Sequence, residues 1–432
     1  MDKKLDVAGR ARFSGGQAFA RAFSSLGNRN YRLFWFGQLV SLAGSWMQDV
    51  ALSWLVLELT NSPKALGLTM TIRFLPALFL SVYGGILGDR LPKRTTLVSV
   101  LSVQLCTALA LGILGTLGIL SVGLIYLLTG VRGVVESIEG PVRQSFVPEM
   151  VGPRDLPNAV ALNSTLFNAA RIAGPAIGAG VIAGFGVEAC FYLNAASFLA
   201  VIGALLAMDK NKLYAVQKPA RQPVHLQVRE GFRYVRATPV VVVIFILVGF
   251  IGAFGYNFQT ILPLVTKYVL HAGASTLAML TTTMGAGSVV AGLAAAYWGQ
   301  PGMKRLIGAT CAFVGLLLLV GLSSWVAITL VLLFALGIVG VLFMTSANTR
   351  LQLTVPDYLR GRVMGMYMLL FVGTTPIGSY VIGFLAEHLG VRPTILTMAG
   401  LCAVGVGAAL FYLRAAGSEA ETNAQLKSET QT

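Results

Sequence analysis

Five ionisable side chains stand inside long apolar stretches: Asp49, Arg73, Arg132, Glu136 and Arg171. A charge at the centre of a bilayer costs at least about 2.5 to 3.5 kcal/mol unless it is paired or hydrated. Each of the five therefore implies a partner or a wet cavity. Arg132 and Glu136 lie four residues apart, which sets them on one helical face. In a partly dry cavity a carboxylate binds a proton more readily as water leaves and less readily as an arginine approaches. Such a group can take up and release a proton as its partner moves. The chemistry on offer is proton transfer, with Asp49 or Glu136 as the carrier and Arg73 and Arg132 setting its affinity. Purely structural ion pairs satisfy the same spacing.

Neutral polar residues form a second set. Gln48 adjoins Asp49, Asn257 and Gln259 share a later apolar stretch, and Thr345, Ser346 and Asn348 share another. These residues suit contacts with a substrate, and equally suit hydrogen bonds between helices. The three histidines, His225, His271 and His388, show neither metal-ligand nor triad spacing. No Gly-Lys-Ser/Thr phosphate loop occurs either, so direct drive by ATP has no visible basis. No enzyme, cofactor or metal is expected. Cys106, Cys190, Cys311 and Cys402 fall within apolar stretches and read as packing residues.

The elements that must position these groups follow from composition. The chain has 432 residues, of which 56% are hydrophobic and 11% charged. A soluble domain carries roughly 25% charged residues, so water cannot surround this one. Apolar segments recur at about 33–57, 65–88, 96–118, 120–142, 158–184, 187–208, 240–266, 275–299, 306–323, 325–347, 363–386 and 393–413. Each is long enough to cross the hydrocarbon core, which predicts an all-α membrane protein of twelve spans. Asp49 then lies about 24 Å along span one from its first residue, and Arg73 about 22 Å along span two from Gly88, both at 1.5 Å per residue. These two are level, and an ion pair between them is expected. Arg171 on span five comes at a depth comparable to Arg132 and Glu136.

The hydrophilic remainder divides the chain into a tail (1–30), a first bundle (31–208), a linker (209–238), a second bundle (239–414) and a short tail (415–432). The net charge of +15 would suggest nucleic acid in a soluble protein. Here all but six of the 32 lysines and arginines fall on the side of the two tails. Lys64, Lys267 and Arg392 lie on the other side, and Arg73, Arg132 and Arg171 lie within spans. The positive-inside rule places both termini in the cytoplasm. The first apolar run is too long for a secretory leader. Phe13 to Phe23 could lie on anionic lipid as an amphipathic helix or remain a basic tail. Val224 to Ala237 is helix-like and could dock on the cytoplasmic face.

The two bundles echo each other. Val147-Pro148-Glu149 recurs as Val355-Pro356-Asp357, and Gly174-Pro175-Ala176-Ile177-Gly178 is matched by Thr375-Pro376-Ile377-Gly378. A two-fold internal repeat points to a transporter with a site between its halves. Gly174 and Gly178 are small residues at four-residue spacing, which lets helices approach closely, and Pro175 between them favours a bend.

At these motifs the chain resembles the major facilitator superfamily. The loop after span two, Gly85-Ile86-Leu87-Gly88-Asp89-Arg90-Leu91-Pro92-Lys93-Arg94, is similar to that superfamily's signature, apart from Pro92 where glycine is usual. The equivalent loop of the second half keeps Gly292, Lys304 and Arg305 but has Ala296 in place of the acid. Trp46-Met47-Gln48, Pro141-Val142-Arg143-Gln144, Leu156-Pro157-Asn158-Ala159 and Leu359-Arg360-Gly361-Arg362-Val363 look like the branch of the enterobactin exporter and bacterial macrolide efflux pumps.

The resemblance implies two pseudo-symmetric six-helix bundles in a bacterial plasma membrane, working as a monomer. It implies export of drugs, macrolides or siderophores from the cytoplasm in exchange for protons, with spans one, four, seven and ten lining the cavity. Asp89, Arg90, Lys93 and Arg94 would then form a cytoplasmic gate, their charges bridging helix ends. Lipid or lysolipid movement by the same fold is an alternative, as is a non-transporting sensor or scaffold. The linker and tails are too short for a folded domain, which argues against the last.

Overall fold

The computed structural model describes residues 23–214, 224–295 and 302–429, with side chains except at 81–90, 224–228, 295 and 416–429. Its long elements are all helices: α1 (Arg29–Thr60), α2 (Pro63–Arg90), α3 (Lys93–Thr116), α4 (Val122–Phe185), α5 (Val187–Leu206) and α6 (Val224–Ala237). They continue as α7 (Pro239–Val269), α8 (Ala274–Ala295), α9 (Met303–Leu322), α10 (Val326–Thr354), α11 (Asp357–Leu389) and α12 (Val391–Glu429).

Helix α4 runs for 64 residues, but Gly152 sits at φ 72° and divides it into two arms. That backbone conformation is open to glycine and strained for other residues. The two arms are spans four and five, so α1 to α5 supply six spans and α7 to α12 another six. The fold is thus a membrane protein of twelve helices in two six-helix bundles. Several helices outrun the apolar segments that announce them. The connection from 143 to 157 is itself helical, and α12 continues to Glu429. Hydropathy marks where a helix meets lipid, while the backbone hydrogen bonds that make it a helix continue past that boundary.

The two halves are terminated alike. Gly186 ends span five at φ 85° and Gly390 ends span eleven at φ 86°. Each donates its N–H back into the last helical turn, to Ile182 and Ala386 respectively. A left-handed glycine at this place reverses the chain into the next span without steric cost.

Within the first half α1 packs on α4 and α5, α2 packs on α4, and α3 packs on α4 and α5. Within the second half α8 packs on α10, α9 on α10 and α12, and α7 on α12. The halves meet along α2 with α11, and along α4 with α8. We call the end that carries both termini and the linker the basic face. Contacts between the halves concentrate toward the other end. There a Cβ on Gly67 would lie 2.8 Å from the Cα of Gly383, so only glycines permit this approach of α2 to α11. Thr71 Oγ1 donates to Pro376 O at 2.9 Å. Ser62 Oγ and the Lys64 N–H donate to Glu387 at 2.9 and 3.1 Å. Lys267 Nζ donates to Leu57 O, and Tyr268 OH bonds Asn61 at 3.2 Å.

On the basic face α6 docks beneath the second half. Glu230 pairs with Arg362, and Tyr234 OH donates to Thr354 O at 2.9 Å. Two cysteines depart from expectation. Cys190 and Cys402 are buried, whereas Cys106 and Cys311 are exposed on outward helix faces. Lipid-facing surface is as apolar as core, so hydropathy does not separate the two. The tail stretch 13–22 and Ala296 lie outside the described residues.

Candidate functional site

Asp49 (α1), Arg73 (α2), and Arg132 with Glu136 (first arm of α4) close into a ring. Arg73 Nη1 lies 2.8 Å and Arg132 Nη1 2.9 Å from Asp49 Oδ1. Arg73 grips Glu136 with two nitrogens, Nε at 3.2 Å and Nη2 at 3.3 Å. Arg132 Nε completes the ring at 2.7 Å from Glu136 Oε1. Gly133 makes this possible: it has no Cβ, and the backbone of α4 therefore lies directly against the carbonyl of Arg73. Two guanidiniums and two carboxylates cancel, so the ring places four charges in the membrane interior without adding a net charge. Removing one member would leave an uncompensated buried charge, which is far costlier than losing the whole set. Glu136 is the most open of the four, with 26% of its side chain exposed against 8% for Asp49.

The ring forms part of the wall of a cavity of about 480 Å³ between the halves. This is the size of a site for a drug-like molecule. Its walls combine those charges with aromatic side chains, among them Trp46, Phe74, Phe167, Phe258 and Phe371. The cavity reaches toward the basic face as far as Gln38 and Arg143. Among the described residues no group of three His, Cys, Asp or Glu gathers as a metal site.

Arg171 also lines the cavity but stands outside the ring. Its guanidinium lies beside Tyr256 of the second half, while its Nε and Nη2 have no acceptor among the described residues. Gln259 Nε2 reaches Asp49 Oδ2 at 3.4 Å and ties the second half to the ring. Asn257 lines the cavity too, but its bonds are internal. It donates to Gly252 O and Ala253 O at 3.2 and 2.7 Å, and accepts from Ser379 Oγ at 3.1 Å. These bonds satisfy the backbone where α7 passes from a π turn, Ile251–Gly255, into its next helical piece.

Four residues expected at the cavity do not line it. Gln48 is turned from Asp49 by one helical residue and binds Asn194 of α5 at 2.5 Å, inside the first half. Ser346 is buried in helix packing, Thr345 is exposed, and Asn348 accepts from Gln352 one turn on. Span ten gives the cavity no wall, and spans eight and eleven take that place through Thr281, Met284, Phe371 and Thr375.

Lys93 and Arg94 both act within the first half. Lys93 pairs with Glu149 at 2.6 Å, and Arg94 donates to Leu205 O and Leu206 O at 2.5 and 2.7 Å. The side chains of Gly85, Asp89 and Arg90 lie outside the described residues. Gly174, Pro175 and Gly178 are buried, with both glycines against α1, where Trp46 and Met47 fill the room a Cβ would take.

The cavity also contains residues that sequence reasoning passed over. Glu139 accepts from Gln104 at 2.8 Å and lies 3.7 Å from Arg143. Its spacing of four from Arg143 is the available signal, hidden because the apolar segment ends at residue 142. Tyr256, at the centre of an aromatic cluster with Phe258, Phe313 and Phe371, had no polar spacing to mark it.

Comparison with known proteins agrees with this geometry. A family model described as transmembrane secretion effector matches residues 20–431. The chain is 24% identical over 390 residues to the staphyloferrin A transporter of Staphylococcus aureus, across 88% of this chain and 96% of that one. It is 27% identical over 385 residues to the multidrug efflux pump Tap of Mycolicibacterium fortuitum, across 85% and 91%. Its fold is similar to the inward-facing, unoccupied structure of a bacterial homolog of the human lysosomal transporter Spinster. That match has a TM-score of 0.70 at 12% identity and covers 89% of this chain and 97% of the other. With twelve helices in two bundles, a cavity between them and a family match over nearly its whole length, this chain belongs to the transmembrane secretion effector family of major facilitator transporters.

Proposed function

We propose that the protein exports small amphipathic compounds from the cytoplasm in exchange for protons, by rocking of the two halves about the central cavity. The observation that carries this reading is the ring of Asp49, Arg73, Arg132 and Glu136 in the cavity wall. The basic face is the cytoplasmic one, by the bias of lysine and arginine, so both termini are cytoplasmic. Contacts between the halves away from that face, with a cavity reaching toward it, suit an inward-facing state. Rocking separates α2 and α4 from the second half and loosens the tie from Gln259 to Asp49. In a dry site, a carboxylate that loses an arginine partner takes a proton, and one that regains it gives the proton up. Glu136, the more open carboxylate, is the first candidate for that exchange. The mixture of aromatic walls and fixed charges suits molecules with an apolar body and a polar group. Relatives named as a multidrug efflux pump and a macrolide efflux protein support the direction of transport.

The test takes any compound to which an overexpressing strain shows raised resistance and measures its pH-gradient-driven uptake into proteoliposomes. Asp49→Asn and Glu136→Gln are expected to abolish the pH-driven component. Uptake that survives both changes overturns proton coupling through this ring.

A further inference from the structure

Resting on the reading of the cavity as a substrate site, we infer that its substrates carry an acidic group and that Arg171 is the residue that holds it. Among the described residues four arginines line the cavity, Arg73, Arg132, Arg143 and Arg171, against three carboxylates, Asp49, Glu136 and Glu139. The carboxylates are already spoken for. Asp49 and Glu136 each meet two guanidiniums, and Glu139 meets Arg143 and Gln104. Among the described residues one positive charge is left over, and it is Arg171.

The geometry of that guanidinium is specific. Its Nε and Nη2 lack an acceptor among the described residues. These two nitrogens form one edge of the guanidinium, the same edge with which Arg73 grips Glu136. That edge matches the two oxygens of a carboxylate, whereas a single ammonium or hydroxyl leaves half of it unused. Both atoms are shielded in this conformation. No acceptor holds them, so turning the side chain toward a ligand breaks no protein bond at that edge. Arg171 belongs to the first half and touches Tyr256 of the second. An anion held there sits where the halves meet, with the aromatic walls left to cover its apolar body.

The experiment compares two probes that differ only in charge, dansylglycine and dansylglycinamide. Their binding to the full chain in phosphatidylcholine nanodiscs is followed by dansyl fluorescence at equilibrium. Dansylglycine is expected to bind about tenfold more tightly than the amide. Arg171→Gln is expected to bring it down to the amide's affinity, and Arg171→Lys, which keeps the charge but loses the fork, to lower the preference severalfold. Should Arg171→Gln not fold, the wild-type ratio and Arg171→Lys decide. Equal affinity for the two probes, no binding of either, or a preference that survives Arg171→Gln overturns the inference. Binding is read without any gradient, so failure of proton coupling leaves this result intact, and the reverse also holds.

Discussion

The same close approach is built twice in this molecule, once with charges and once without. In the first half Gly133 of α4 lies against the carbonyl of Arg73 on α2, and in the second Gly337 of α10 lies against the carbonyl of Met284 on α8. Taking the two glycines as equivalent, Arg73 corresponds to Met284, Arg132 to Leu336 and Glu136 to Gly340. Leu336 is fully buried, and Gly340 makes room for the ring of Tyr256. The second half therefore joins the corresponding helices without charges, and the described residues it gives to the cavity wall are all uncharged. A buried ion pair is seldom more stabilising than well-packed apolar residues of similar volume. The second half demonstrates such an apolar solution within the same chain. Such a close approach thus does not by itself call for charges, which is why we propose a role in transport for those of the first half.

Four changes put that contrast to the test. The largest effect is expected from Arg132→Leu alone, which gives the first half the residue of the second but leaves Asp49 and Glu136 undercompensated. A loss of about 3 to 5 kcal/mol is expected, seen as a large drop in the unfolding temperature in detergent. An unchanged temperature would mean that the ring does not hold the helices. Next come Gly133→Ala and Gly337→Ala, each of which pushes a methyl group into a facing carbonyl. They should destabilise by about 1 to 3 kcal/mol, and by similar amounts if the two approaches are equivalent. Changing the whole ring together, Asp49→Asn, Arg73→Met, Arg132→Leu and Glu136→Gln, should bring stability back to within about 1 to 2 kcal/mol of the unaltered protein. Transport driven by a pH gradient should stay absent, and its return would detach the ring from coupling. The smallest effect belongs to Tyr256→Phe, which removes the hydroxyl beside Arg171 and keeps the aromatic cluster. About 0.5 to 1.5 kcal/mol is expected, measured by thermal unfolding.

Much of this architecture was legible before any coordinates. Hydropathy located the spans, and matched depths brought Asp49 level with Arg73. Spacing alone put Arg132 and Glu136 on one face. What was not legible was rotation about the helix axis. Gln48 and Asp49 are neighbours in the chain, yet one faces Asn194 and the other the cavity. Thr345, Ser346 and Asn348 have the composition of a binding site, but α10 turns none of the three to the cavity. Glu139 escaped notice because Arg143, its partner, falls just past the apolar segment on a helix that continues beyond it.

Composition and residue order are enough to show that the chain crosses the membrane repeatedly, how its charges are distributed between the two faces, that it repeats, and which charges the membrane interior must accommodate. Those are properties of local composition and of helical periodicity. Which of those charges meet is set by helix packing. Arg73 closes the ring because α2 packs on α4 at a glycine, while Arg171, at similar depth, faces the other half and finds Tyr256. Depth follows from counting residues along one helix, whereas partnership depends on how separate helices rotate and pack against each other.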